Sequence, residues 1–179
     1  ALNLIHKITI NSHMKKLILM LCSITIISCG EKKQNENTLN KTENHFGTIE
    51  KGDQKSLAAQ SFSKAYIANN LASVSDLFTE DAKIMINDSD ITFDQLVAGF
   101  SEGFKYYENI HHMDTDTYTM YYDDGEIFTN YWYTWHGKNK KTGEDLMVRG
   151  YSWMKWEGDK ISEMYNAFDP TAYNAGMID

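Results

Sequence analysis

The residues able to move protons or hold a charged ligand are few in this 179-residue chain, and most fall in its second half. Acid–base chemistry needs a titratable group in a poorly solvated site, where burial draws its pKa towards working pH. His111 and His112 are adjacent, so in a strand they point to opposite faces and one of them can turn inward. His112, Asp114 and Asp116 alternate on one strand face, a spacing open to a metal, but acids on a strand edge are usually solvated and no metal is assigned. His136 precedes Gly137 at a strand end and reads as an exposed residue more than as a pocket base. Arg149, inside the apolar run LMVRGYSW, could clamp an acidic ligand, cross to a partner or reach the surface. Tyr66 faces the core by its helical period and could carry its hydroxyl into a cavity. Asp169 stands before Pro170, where an Asp usually caps a chain end. The chain has no G-x-S-x-G elbow, no phosphate loop and no cysteine after Cys29, so no catalytic residue is assigned and no cofactor is called for.

Those side chains need elements to position them. From Lys55 to Asn69, KSLAAQSFSKAYIAN repeats apolar residues with helical spacing, and no Pro or Gly interrupts it. Leu71, Val74, Leu77 and Phe78 continue as a short second helix after Ser73, KIMIN reads as a strand and NDSD as a turn. Thr92 and Gln95 form a capping box ahead of a long amphipathic helix carrying Leu96, Val97, Phe100, Phe104 and Tyr107 on one face. Gly99 and Gly103, one turn apart, would let another backbone approach that helix. After Asn109 the texture becomes β-branched and aromatic, and four strand candidates follow, joined by DDG, KNKKTG and EGDK. Helices first and an antiparallel meander afterwards mean α+β. All four tryptophans (Trp132, Trp135, Trp153, Trp156) fall in the two middle strands. A sheet bent around the long helix would enclose a concave side, and aromatic walls with a few polar groups are the usual lining of a small-molecule pocket. The same rings could instead fill the core or a homodimer face.

Ahead of the domain, Met14, Lys15, Lys16 and the apolar run Leu17 to Ile27 have the order of a secretory signal, too short for the roughly 20 apolar residues that span a bilayer. The run ends in IISCG, which resembles the lipobox of bacterial lipoproteins, with Ile26 and Ser28 ahead of an acylated Cys29. Each buried acyl CH₂ adds about 0.8 kcal/mol of membrane affinity, so several chains anchor firmly. The reading is an upstream extension over 1–13, a signal over 14–28, a lipid-anchored tether over 29–54 and one domain over 55–179, held outside the cytoplasm in a bacterial cell envelope. Removing Lys7, Lys15 and Lys16, the only Lys, Arg, Asp or Glu residues before Cys29, leaves 14 basic against 25 acidic residues, a net charge of −11. Nucleic acid is therefore not an expected partner.

The stretches AYIANNLASVSDLFTEDAKIMIN and WEGDKISEMYNAFDP, in an order of helix, short helix, strand, long helix and curled meander, resemble the NTF2-like superfamily, in particular its SnoaL-like branch. The resemblance implies an α+β cone, with helices packed in a curved antiparallel sheet, and a domain that binds small molecules, with isomerisation, dehydration or hydrolysis among the family's activities. Epoxide-opening relatives carry a catalytic carboxylate in a final-strand stretch like Asp-Tyr-Phe-Asp. Here the run is NAFD, so Asn166 stands at the first position, where an amide can bind a ligand but cannot act as a base. With Gly158 and Asp159 as the last turn, Glu157 lies opposite Lys160, and the register sets Tyr151 against Asn166 and Trp153 against Met164. One face then gathers Arg149, Tyr151, Trp153 and Asn166, and the other Val148, Ser152, Trp156, Ile161, Tyr165 and Asp169. The first is taken as cavity-facing, which with Tyr66 makes the expected ligand site. The alternative is a non-enzymatic interaction or dimerisation module of the envelope.

Overall fold

A computed structural model describes residues 46–178; the leader, Cys29 and residues 30–45 of the expected tether lie outside them. Within the stretch read as tether, Gly47–Glu50 is a strand, β1, paired antiparallel with the end of a long strand, β4 (Tyr107–Tyr122). Asp53 then starts α1 (Gln54–Ile67), its carboxylate accepting the backbone N–H groups of Lys55 and Ser56. This cap satisfies donors that a helix start leaves orphaned. Leu71–Leu77 is a 3₁₀ helix, where the spacing suggested a short α-helix. β2 (Phe78–Ile86) is longer than KIMIN alone, and β3 (Ser89–Ile91) forms a hairpin with it at the expected turn. The Thr92–Gln95 capping box opens α2 (Phe93–Tyr106) as expected.

Three more strands follow: β5 (Ile127–Asn139), β6 (Asp145–Glu157) and β7 (Lys160–Phe168), with a short α3 (Thr171–Ala175) at the end. The seven strands make one sheet in the order β1-β4-β5-β6-β7-β2-β3. Neighbours β4 to β7 form the meander read from the sequence, but β2 runs parallel to β7, so the sheet is mixed and not wholly antiparallel.

Curvature comes from bulges. Against β5, the register of β4 slips once between Glu108 and His111 and again between Met113 and Asp116. Asn109 and Asp114 sit at those slips with φ of 55° and 48°, a left-handed conformation that Asn and Asp tolerate better than most residues. Each extra residue bends the strand and increases its twist, which folds the meander around α1 and α2. Phe62, Tyr66, Leu71, Phe78, Ile84, Leu96, Trp135, Met154, Ile161 and Met164 fill the space between sheet and helices.

Candidate functional site

A third bulge decides which side chains reach the interior. Glu157 pairs with Lys160 as the turn predicted, and Trp156 with Ile161, but Lys155 then pairs with Glu163, leaving Ser162 as the extra residue. From there the register is one residue away from the expected one: Ser152 faces Asn166, and Tyr151 faces Ala167. Because side chains alternate, that single residue separates Asn166 from Tyr151 and Trp153. The even-numbered residues of β6 turn inward with Met164, Asn166 and Phe168, while Arg149, Tyr151 and Trp153 lie on the outer face. Of the five expected ligand residues the structure therefore brings together Tyr66 and Asn166 and places the other three across the sheet.

The inner face and helices enclose a cavity of about 550 Å³. Helix α1 supplies Phe62, Ser63 and Tyr66, which share one side because they are three and four residues apart. β5 supplies Tyr131, Tyr133 and Trp135 at period two, and β4 supplies His112. Gly150 faces Tyr133 across the sheet, and a Cβ there would come within 2.1 Å of the tyrosine ring, so only glycine lets that ring lie flat over β6. Gly103 has a matching use: its missing side chain admits the Tyr173 hydroxyl, which a Cβ would meet at 1.9 Å. What approaches the α2 glycines is thus a tyrosine side chain at Gly103, and nothing lies within 4 Å of a Cβ at Gly99. The C-terminal segment is fixed over this end by Tyr107 Oη donating to the Tyr173 carbonyl at 2.8 Å and by Asn139 Nδ2 donating to the Gly176 carbonyl at 2.8 Å.

The polar part of the wall centres on His112. Its Nδ1 lies 2.8 Å from Ser63 Oγ and 3.1 Å from Tyr131 Oη, and those two hydroxyls are 2.8 Å apart. The ring stacks on Tyr133, with centroids 4.3 Å apart. Burial, with a smaller contribution from His111, pushes the imidazole down to about 4, so it is neutral at pH 7. Nε2 has no partner among the described residues. Burial also raises the Tyr131 hydroxyl above the usual tyrosine range and the Tyr133 hydroxyl well above it, so both keep their protons. Trp135 Nε1 donates to Tyr66 Oη at 2.7 Å, and Tyr133 Oη donates to Asn166 Oδ1 at 2.8 Å. Asn166 Nδ2 is buried without a partner among the described residues.

The remaining candidates lie elsewhere. His111 and His136 stack on each other outside the cavity, with ring centroids 4.6 Å apart, and His136 Nε2 is 3.3 Å from an Asp145 oxygen. Asp116 pairs with Lys51 at 2.6 Å on the outer face, since the bulge at Asp114 breaks the alternation that would have set it beside His112. Asp169 accepts the Thr171 N–H, as a chain-end cap. Ser63, His112, Tyr131 and Tyr133 form the cluster that the sequence reading did not assemble. The signal available for it was the three-residue step from Ser63 to Tyr66 and the alternation of Tyr131, Tyr133 and Trp135.

A helix-filled, strongly curved sheet of this order is the NTF2-like α+β fold, open to a small molecule on its concave side. Among solved structures, the chain is similar to a SnoaL-like candidate polyketide cyclase from Shewanella putrefaciens CN-32 (TM-score 0.51, 9% identity, 71% of this chain and 98% of that one). It is similar also to a candidate polyketide cyclase from Xanthomonas campestris pv. campestris (TM-score 0.52, 14% identity, 68% and 94%). A third is AclR, a candidate hydroxylase from Streptomyces galilaeus (TM-score 0.53, 11% identity, 68% and 92%). No protein-family model and no curated protein matches the sequence.

Proposed function

We propose that the domain binds a small, partly apolar molecule in the aromatic cavity and acts on it by proton transfer at His112. The observation that carries this is the His112–Ser63–Tyr131 triangle in a water-poor wall, with the imidazole neutral and its Nε2 unpaired. A neutral imidazole offers one donor and one acceptor, and which nitrogen holds the proton is set by the partner of the other. Both hydroxyls at Nδ1 can rotate to accept its N–H, which leaves Nε2 as the acceptor that takes a proton from a bound molecule and holds it as an imidazolium. Returning that proton elsewhere on the same molecule gives isomerisation, and delivering it to a leaving hydroxyl, which departs as water, gives dehydration. Asn166 replaces the carboxylate of epoxide-opening relatives, which argues against that hydrolysis here.

The test is native mass spectrometry of the full chain recovered from an extract of the source cells, followed by incubation of the released molecules with protein in D₂O. Wild type is expected to exchange or convert a bound species and His112→Gln to bind it unchanged; equal exchange by the variant would overturn the assignment. The same reading keeps the domain tethered to a membrane of the cell envelope through acylated Cys29, on the strength of the lipobox-like sequence. Palmitate labelling that persists in Cys29→Ala would remove that part. A second reading, association through the outer sheet face, is favoured by one observation: Trp132 is 45% exposed amid further aromatic rings. Sedimentation of the full chain that is unchanged by Trp132→Glu would set it aside.

A further inference from the structure

Of the four amide side chains that line the cavity, Asn87, Gln95, Asn166 and Asn174, the first three are turned the same way. Tyr133 Oη occupies Asn166 Oδ1 at 2.8 Å, the Phe168 N–H occupies Asn87 Oδ1 at 3.0 Å, and the Thr92 N–H occupies Gln95 Oε1 at 2.8 Å. Those three oxygens are committed to the fold, and their NH₂ groups have no partner among the described residues. Tyr66 repeats the pattern, because its oxygen accepts the Trp135 N–H and its own O–H proton is unassigned. Asn166 is only 3% exposed, and a buried donor left unpaired has lost its hydration with nothing in return. A bound acceptor atom recovers that cost, and a bound donor cannot.

Charge narrows the ligand further. No Lys or Arg is among the described residues lining the cavity, and its one carboxylate, Glu102, is paired with Lys105 at 2.6 Å. An anion would therefore lose its hydration with no cation to replace it. Phe62, Leu96, Phe100, Met154 and Met164 supply the apolar remainder of the wall. We propose that the cavity selects a neutral, partly apolar carbonyl compound, one whose oxygens accept from Asn166 Nδ2 in the interior and from Asn87 or Gln95 towards the mouth. This rests on the ligand-binding reading above and adds the chemical class of the ligand.

The experiment measures binding of matched probes to the full chain by ligand-observed NMR: tetralin, 1-tetralone and 1-aminotetralin, with fluorene and fluorenone as a larger pair. Each ketone is expected to bind about ten-fold more tightly than its hydrocarbon, with the amine weakest. In Asn166→Leu, and in Asn166→Asp, which keeps the side-chain shape and an acceptor for Tyr133, the ketone preference should vanish while the hydrocarbons still bind. Equal affinity for ketone, hydrocarbon and amine, or a ketone preference that survives both variants, overturns the carbonyl assignment but leaves the cavity as a binding site. Failure of every probe to bind overturns the binding-site reading and this proposal together.

Discussion

The two faces of the β4–β7 meander carry almost the same kinds of residue and have opposite fates. Inside, Tyr131 and Trp135 are 6% and 5% exposed, and each polar atom of Tyr66, Tyr131, Tyr133 and Trp135 meets a hydrogen-bond partner. Outside, Trp132 stacks against Tyr151 at 4.2 Å and Trp153 packs near Phe128 and Tyr165 at 5.8 and 6.1 Å, all at least partly in solvent. Aromatic content therefore says little about where a pocket lies. What separates the faces is the helices laid over one of them, which close off water so that the hydroxyls there bond within the protein while Asn166 Nδ2 is left unpaired.

The contrast can be broken most severely at the tryptophans. Trp135→Ala is expected to cost about 3–5 kcal/mol through lost burial and the cavity left behind, and Trp132→Ala, on the other face of the same strand, less than about 1 kcal/mol. Urea denaturation of the two variants measures the difference, and similar losses would mean that the outer face is covered in the native protein.

A comparable effect should appear with pH. His112 falls from 6.5 unfolded to about 4 folded, so the unfolded chain binds more protons between those values. Its contribution is complete above about pH 6.5 and is lost as pH falls towards 4, by about 3 kcal/mol in all. His112→Phe should flatten that part of the stability–pH curve, whereas His111→Phe, which removes only the smaller cause of the shift, should leave most of it in place.

Next comes the hydroxyl ladder under α1. Thr119 Oγ1 is 3.0 Å from Asp53 Oδ1 and 2.9 Å from Thr129 Oγ1, to which Trp156 Nε1 donates at 2.9 Å. Burial raises the Asp53 carboxyl, but hydrogen bonds from Ser56, Tyr121 and Thr119 outweigh it and hold the group below the usual carboxylate range. Thr119→Val removes one of those donors inside a fully buried site and should cost about 1–3 kcal/mol, seen as a lower urea midpoint. The smallest effect is expected at the outer face, where Tyr151→Phe loses only the bond to Asn130 Oδ1, about 1 kcal/mol in the same assay.

Much of the architecture could be read from local pattern. The Thr92–Gln95 box, the four-strand meander, the Glu157–Lys160 turn and the opposed directions of His111 and His112 are properties of a few neighbouring residues, and they appear as expected. Tyr66 and Asn166 could likewise be chosen from helical period and position in the final strand. The register differs for one cause: Arg149, Tyr151 and Trp153 were set beside Asn166 by counting two residues per repeat from the last turn, and Ser162 interrupts the count.

By itself, then, the sequence determined the main helices and the meander strands, their order and the acidic, aromatic character of the domain, but not β1 or β3, because capping, periodicity and turn chemistry act over a handful of residues. Tertiary structure alone decided which alternation faces inward, the parallel pairing of β2 with β7, and the meeting of Ser63, His112, Tyr131 and Asn166 from four elements. Bulges are set by how the whole sheet must bend around its helices, and a one-residue slip, invisible in local propensity, exchanges the two faces of a strand.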